Sequence, residues 1–258
     1  MISDFLYSLK DINSFFNLFY YISFRAGLSL VLSFSFVLLL MPMWINIQTK
    51  LFPKGQPIRD DGPQTHLSKQ GTPTFGGALI IFSIIINTIF WTSEFSNFNY
   101  ILLLTLILFG LIGFYDDYQK VIFNKGISTK RKFFLQFLIT ILLYFIIKSN
   151  GYDLNNFYIP FFKNISIELG IFYFFIILFI IIGSTNATNL TDGLDGLVSM
   201  PLIFVFLTFA IFAYILGNIN FSDYLLVNYI PGSGEIVIFC TTSIGALLGF
   251  LWFNSSPA

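Results

Sequence analysis

Long apolar runs alternate with short polar segments along the whole chain. Crossing the hydrocarbon core of a bilayer takes about 20 mostly apolar residues in a helix. The pattern predicts seven membrane-spanning helices, at about 22–45, 75–93, 99–115, 133–149, 170–185, 197–217 and 236–253. Residues 1–20 are aromatic and mildly amphipathic, which predicts a segment lying in the membrane interface. We therefore expect an all-α polytopic membrane protein, with residues 1–258 forming one integral-membrane domain.

The composition agrees with this class of protein. Hydrophobic residues make up 56% of the chain and charged residues only 10%, whereas a soluble domain is about one quarter charged. The formal net charge is zero, so the sequence lacks the basic excess typical of nucleic-acid binding. We expect the lipid bilayer, and no nucleic acid, as a partner.

The basic residues predict how the chain is oriented in the membrane. Cytoplasmic loops carry an excess of lysine and arginine. Nine of the thirteen basic residues lie in or beside the loops after the first and third predicted helices: Lys50, Lys54, Arg59, Lys69, Lys120, Lys125, Lys130, Arg131 and Lys132. The loops after the first, third, fifth and seventh helices are therefore predicted to face the cytoplasm.

The densest polar segment is GSTNATNLTDGLDGL at 183–197, between two apolar runs. Ionisable groups close to membrane depth usually mark a substrate or ion pathway. In a helix, Asn189, Asp192 and Asp195 would share one face because they are spaced at i, i+3 and i+6. The alternative is a solvated loop between two helices, although such a loop needs turn formers and not two amides with two carboxylates.

A second polar segment, GFYDDYQK, follows the third apolar run. Asp116 and Asp117 end that run, and Lys120 follows one helical turn later. Adjacent carboxylates repel each other and suit a divalent cation or a transferable proton. Together with nearby lysines they suit a reaction between two phosphate-bearing partners. The lysines alone are also explained by the charge bias of cytoplasmic loops.

These two segments and the polar loop at 54–77 are predicted to emerge on the same, cytoplasmic, side. A site assembled there from several loops is the simplest explanation. A transporter is the alternative from another class of protein. Transporter sites lie near the middle of the membrane with access from both sides, so the clustering of acids on one side counts against it.

Three segments resemble the signature blocks of one enzyme family. GQPIRDDGPQTHLSKQGTPTFGG, IGFYDDYQK and NATNLTDGLDGL are similar to blocks of the phospho-N-acetylmuramoyl-pentapeptide transferases, in the polyprenyl-phosphate sugar-1-phosphate transferase superfamily. The similarity runs from about Phe24 to the end of the chain. It departs at Thr188, where the family usually has valine, and at Phe75, where methionine is usual.

The resemblance implies a ten-span, Mg²⁺-dependent enzyme of the bacterial cytoplasmic membrane, with its active site on the cytoplasmic face. It would transfer phospho-MurNAc-pentapeptide from UDP-MurNAc-pentapeptide to undecaprenyl phosphate. The products would be UMP and lipid I, an intermediate of peptidoglycan synthesis. A homodimer remains open.

The resemblance also assigns roles to individual residues. Asp116 and Asp117 match the catalytic aspartate pair, of which one would deprotonate the lipid phosphate and the other would serve the metal. Asp117 is the implied metal ligand, and which aspartate is the base stays open. Asp192 matches a further catalytic position. The implied substrate-binding positions are Lys69, Thr74, Lys120, Lys132, Asn189 and Asp195.

The chain ends at Ala258, where the family continues with a further acidic block, three more spans and a histidine-rich loop. The resemblance therefore predicts a C-terminally truncated chain with about seven of ten spans. Two other functions remain open: a related transferase that uses UDP-GlcNAc, and a membrane protein inactivated by truncation.

Overall fold

The computed structural model of the chain describes residues 1–53, 74–159, 165–191 and 196–254. Most of the described residues are helical, as the sequence predicts. The α-helices are α1 (Ile2–Ser8), α2 (Ile22–Leu51), α3 (Gly76–Trp91), α4 (Asn97–Phe123), α5 (Thr129–Ser149), α6 (Phe172–Thr191), α7 (Ser199–Leu216), α8 (Ile219–Tyr224) and α9 (Ile236–Asn254). Short 3₁₀ helices occupy Ser14–Tyr20 and Ser233–Glu235.

A small β-hairpin joins α5 to α6. Its strands are β1 (Asn156–Tyr158) and β2 (Ser166–Glu168), which pair in antiparallel register with Phe157 opposite Ile167. The hairpin lies in the polar connection between two long helices and leaves the predicted all-α membrane fold intact.

Six of the described helical segments are long and apolar enough to cross a membrane, whereas the sequence predicts seven. The difference is α3, which is apolar but has only 16 residues. At about 1.5 Å per residue it is about 24 Å long, less than the roughly 30 Å of a hydrocarbon core. It starts at Gly76, with Phe75 as its N-cap: the Phe75 carbonyl oxygen accepts from the Ala78 N–H at 3.2 Å and from Trp44 on α2, and the Phe75 N–H donates to the Gln48 side chain on α2.

The core forms where α2, α3, α7 and α9 pack together. Of the most apolar stretch of α9, 61% of the residues are buried, against 6% for α6. Two glycines let α9 approach α2 closely. A Cβ at Gly249 would lie 2.8 Å from the carbonyl oxygen of Phe34, and one at Gly245 would collide with the carbonyl oxygen of Leu30. Small residues permit this kind of close helix contact in membranes.

Buried hydroxyl groups connect the same helices. The Ser33 hydroxyl lies 3.0 Å from that of Ser83 on α3 and donates to the Thr242 carbonyl oxygen on α9 at 2.8 Å. The Ser29 hydroxyl lies 2.9 Å from that of Thr241. Such bonds stabilise helix pairs where no water is present to compete.

The predicted site residues that the structure describes lie at one end of the helical bundle, and the N-terminal segment packs at the other. At one end α2, α4 and α6 finish and α3 and α5 begin; this end carries the predicted site residues and is called the site end. At the opposite end the N-terminal segment packs against the core, with the rings of Phe19 and Trp91 stacked 6.1 Å apart.

Candidate active site

Asp116 is the most enclosed of the acidic groups that the structure describes at the site end. It lies on α4, and only 7% of its surface is exposed. Its Oδ2 atom forms an ion pair with Lys120 Nζ at 2.8 Å, one helical turn further along α4. Its Oδ1 atom accepts a hydrogen bond of 2.9 Å from the backbone N–H of Ile127. Lys132 Nζ, from the first turn of α5, is 3.9 Å from Oδ2.

Asp117 shares Lys120 with Asp116 but is more open. Lys120 Nζ lies 2.9 Å from Asp117 Oδ1. The Asp117 side chain is 30% exposed, against 9% for Asp116. Among the described residues no donor reaches Asp117 Oδ2. Within the described part of the chain, one carboxylate of the pair is thus bonded through both oxygens and the other through one.

The two carboxylates suit Mg²⁺. Magnesium prefers oxygen ligands and is usually bound by one or two carboxylates together with substrate phosphates and water. Asp117 Oδ2, which has no donor among the described residues, is the oxygen suited to this role. Within the described part of the chain there is no group of three or more metal-ligating side chains.

Thr74 is held at the site end through its neighbour Phe75. The indole N–H of Trp44 on α2 donates to the Phe75 carbonyl oxygen at 3.0 Å, and the Phe75 N–H donates to Gln48 Oε1 at 3.4 Å. The Phe75 ring lies 5.0 Å from that of Phe114, two residues before Asp116. Phe75, one of the two departures from the family pattern, is thus the residue that ties α2 to α4 beside Thr74.

Asn189 is presented by α6, which is paired with α5. The Asn186 Nδ2 group donates to Gln136 Oε1 on α5 at 2.9 Å. Gln136 lies one helical turn after Lys132, and Asn189 lies one turn after Asn186. The Asn189 side chain itself is exposed at the site end.

The structure thus brings Asp116, Asp117, Lys120 and Lys132 into one cluster and places Thr74 and Asn189 at the same end of the bundle. Lys69, Asp192 and Asp195 lie outside the described residues. The described helix α6 runs to Thr191, so the first part of the NATNLTDGLDGL block is helical.

Sequence reasoning missed several residues that position this site. They are Trp44, Gln48, Gly126, Ile127 and Gln136, which contact the site residues or hold the helices that carry them. Gln136 was the most accessible to prediction, because it is an amide within an otherwise apolar run. The backbone N–H of Ile127 has no signal in the side-chain pattern.

The chain combines helices long and apolar enough to span a membrane with an acidic pair and two lysines at one end of the bundle. The model of glycosyl transferase family 4 matches residues 99–258, which identifies the class of protein as a transferase. Within that class, the chain belongs to the phospho-N-acetylmuramoyl-pentapeptide-transferase family. It is 45% identical over 248 residues to the protein of that name from Rickettsia massiliae (strain Mtu5), covering 94% of this chain and 68% of the relative. Proteins with this name from Rickettsia felis and Rickettsia prowazekii are 44% and 42% identical over the same length.

The family relationship decides between the two classes of protein that the sequence left open, a transferase and a transporter. It identifies a transferase and contradicts the transporter hypothesis. The acidic pair at the end of α4, and not at mid-helix, fits this result.

Proposed function

We propose that this site transfers phospho-MurNAc-pentapeptide from UDP-MurNAc-pentapeptide to undecaprenyl phosphate, forming lipid I and releasing UMP. The observation that carries the proposal is the Asp116–Asp117–Lys120–Lys132 cluster at the end of a membrane bundle, in a chain of this family. An acceptor anchored in lipid presents its phosphate at the membrane surface, and the cluster lies at the end of the helical bundle.

The reaction makes one diphosphate bond and breaks another. A phosphate oxygen of undecaprenyl phosphate attacks the β-phosphorus of the nucleotide donor, and the bond from that phosphorus to the bridging oxygen of UMP breaks. A phosphate monoester has a second pKa near 6, so at neutral pH most of the acceptor is already a dianion. No net proton transfer is then required.

The residues of the cluster neutralise and orient these phosphates. Asp117, whose Oδ2 has no donor among the described residues, would hold Mg²⁺, and the ion when bound neutralises phosphate charge. Lys132, whose side chain is 17% exposed, is placed to meet a phosphate oxygen. Lys120 forms an ion pair with both carboxylates, and its positive charge offsets the repulsion between them. Thr74 and Asn189 supply uncharged hydrogen-bonding groups at the same end.

The test is transfer by the 258-residue chain in membranes. UDP-MurNAc-pentapeptide, undecaprenyl phosphate and Mg²⁺ are added, and UMP and the lipid product are measured. We expect both to form in equal amounts and to disappear with a magnesium chelator. Turnover with UDP-GlcNAc in place of the pentapeptide donor would favour the related transferase. Absence of both reactions from a correctly inserted chain would show that this chain is inactive.

We further propose that the protein lies in the bacterial cytoplasmic membrane with the site end facing the cytoplasm. The basic residues near the site end support this orientation. Two exposed positions allow a direct test: Lys125 in the loop after α4 and Tyr224 at the opposite end. The single cysteine, Cys240, is buried, so Lys125→Cys and Tyr224→Cys would each carry one accessible thiol.

A membrane-impermeant thiol reagent should label Tyr224→Cys in intact cells and should label Lys125→Cys only after the cells are opened. The reverse pattern would contradict the proposed orientation. Labelling of the unsubstituted chain gives the background from Cys240.

A further inference from the structure

We propose that the loop at 124–128 clamps Asp116, with the Ile127 N–H as the donor and Gly126 as the residue that allows the close approach. Gly126 is then a positioning residue that acts on the reaction through Asp116. This proposal rests on the proposed function for its effect on turnover, whereas the clamp itself is a property of the described structure.

The geometry at Gly126 leaves no room for a side chain. A Cβ built there would lie 2.7 Å from Asp116 Oδ1 and 3.2 Å from Lys120 Cε. Real Cβ atoms are essentially never found within 3.0 Å of such an atom. An alanine at this position must therefore displace the Asp116 carboxylate or lift the loop away from it.

The glycine is required by this contact and not by the turn. The left-handed conformation that reverses the chain after α4 belongs to Asn124, with φ of 53°. Gly126 is not among the described glycines with positive φ, which are Gly151, Gly170, Gly196 and Gly232. Its backbone thus accepts an alanine, and any effect of that substitution comes from the added methyl group against Asp116.

The clamp explains why the two adjacent carboxylates differ. Asp116 Oδ1 is bonded to the Ile127 N–H and Oδ2 to Lys120, so Asp116 is fixed between the loop and its own helix. Lys120 is in turn held where it also reaches Asp117 Oδ1. The second oxygen of Asp117 has no donor among the described residues, which suits it to metal or phosphate. If the clamp opened, Asp116 could turn outward and Lys120 could leave Asp117.

The clamp also sets the distance between two helices of the site. Ser128 directly follows Ile127 and is the N-cap residue of α5, and Lys132 lies in the first turn of that helix. The bond from Ile127 to Asp116 therefore places the start of α5 beside the end of α4. This placement brings Lys132 Nζ to 3.9 Å from Asp116.

The test compares Gly126→Ala with Gly113→Ala. Gly113 lies on the same helix, one turn before Asp116, and a Cβ there would meet nothing within 4 Å. We expect Gly126→Ala to lower kcat for UMP release about tenfold or more while KM for the nucleotide donor changes by less than about threefold. Gly113→Ala should keep the kcat of the unsubstituted chain. Equal kcat in all three chains would overturn the proposal.

A second pair of variants tests whether Ile127 is the donor. Ile127→Pro replaces the N–H that faces Asp116 Oδ1 by a ring carbon, so it removes the hydrogen bond and blocks the contact, whereas Ile127→Val keeps the N–H. We expect kcat to fall with Ile127→Pro and to be retained with Ile127→Val. A low kcat for Gly126→Ala with full activity of Ile127→Pro would show that Ile127 is not the donor that matters.

Amide hydrogen exchange tests the clamp without any turnover. The Ile127 amide should be protected in the unsubstituted chain and in Gly113→Ala, and should exchange faster in Gly126→Ala. Fast exchange of this amide in the unsubstituted chain would overturn the clamp even if the enzyme is active. If the amide is protected but no UMP forms, the clamp stands and the proposed function fails.

Discussion

At the residue scale, the structure separates two aspartates that are neighbours in sequence. Asp116 is nearly buried and bonded through both oxygens, whereas Asp117 has one oxygen without a donor among the described residues. Burying a carboxylate is unfavourable unless partners compensate for the lost hydration. Lys120 and the Ile127 N–H are those partners for Asp116.

The first prediction concerns this pair. Asp117→Asn should lower kcat for UMP release about 100-fold or more, because an amide is a much poorer ligand for Mg²⁺ than a carboxylate. Asp116→Asn should also be severely impaired, since it weakens the attraction that holds Lys120. UMP release by each variant in membranes is the measurement, with the amount of inserted protein measured in parallel.

Asp11→Asn is the matched control, since Asp11 is exposed at the opposite end and its substitution should leave turnover unchanged. Turnover of Asp117→Asn at the level of the unsubstituted chain would show that Asp117 is neither a metal ligand nor a reacting group.

At the element scale, the apolar runs predicted where helices occur but not where they end. The first predicted span stops at residue 45, yet α2 continues to Leu51. Likewise α4 continues to Phe123, beyond the predicted residue 115. Polar residues such as Asn46 and Gln48 lower the hydropathy of the run without interrupting α2. Hydropathy therefore marks where the apolar run ends, and the helix continues beyond that point. This extension places Asp116, Asp117 and Lys120 on one helix.

The pairing of elements could not be read from the same pattern. Gln136 and Asn186 are 50 residues apart, and only the fold brings their amides to 2.9 Å. Gly126 meets Asp116 because the loop folds back on α4. The resemblance to family blocks identified the residues that carry the chemistry, but it contains no information about these supporting contacts.

The second prediction tests the contact between α5 and α6. Gln136→Leu removes the acceptor on α5 and leaves the Asn186 amide only the Ile182 carbonyl oxygen of its own helix. Hydrogen bonds between membrane helices contribute about 0.6 to 2 kcal/mol. We expect a lower unfolding temperature in detergent and a lower kcat, because α6 carries Asn189. Thr208→Val is the control: the Thr208 hydroxyl bonds to Phe204 within its own helix. Equal effects of the two substitutions would contradict a specific role for the α5–α6 bond.

The third prediction tests the close packing of α2 on α9. Gly245→Ala places a methyl group against the backbone of Leu30, and overpacking of this kind costs about 1–3 kcal/mol. The unfolding temperature in detergent should fall. Gly27→Ala on α2 is the control, since a Cβ there meets nothing within 4 Å. A stability of Gly245→Ala equal to that of Gly27→Ala would contradict the described helix contact.

At the scale of the whole molecule, the end opposite the site is closed by a buried ion pair. Arg25, near the start of α2, bonds through both terminal nitrogens to Glu235, just before α9, at 2.8 and 2.7 Å. Arg25 also donates to the Trp91 carbonyl oxygen, and Glu235 accepts from the Ser93 N–H. The pair therefore joins the first long helix, the end of α3 and the last described helix. Sequence alone did not connect these two charges, because they are 210 residues apart.

The fourth prediction is that this ion pair stabilises the bundle without taking part in the reaction. Removing one partner of a buried pair leaves an uncompensated charge and costs about 3–5 kcal/mol, whereas replacing both by apolar residues costs less or nothing. Arg25→Met and Glu235→Leu should each lower the unfolding temperature in detergent, and the double variant should recover part of that loss. The kcat per folded molecule should stay at the unsubstituted level in all three, since the site lies at the other end of the bundle.

Additive losses of stability in the double variant would show that the two charges do not depend on each other. A fall in kcat without a fall in stability would instead couple this end of the molecule to the active site.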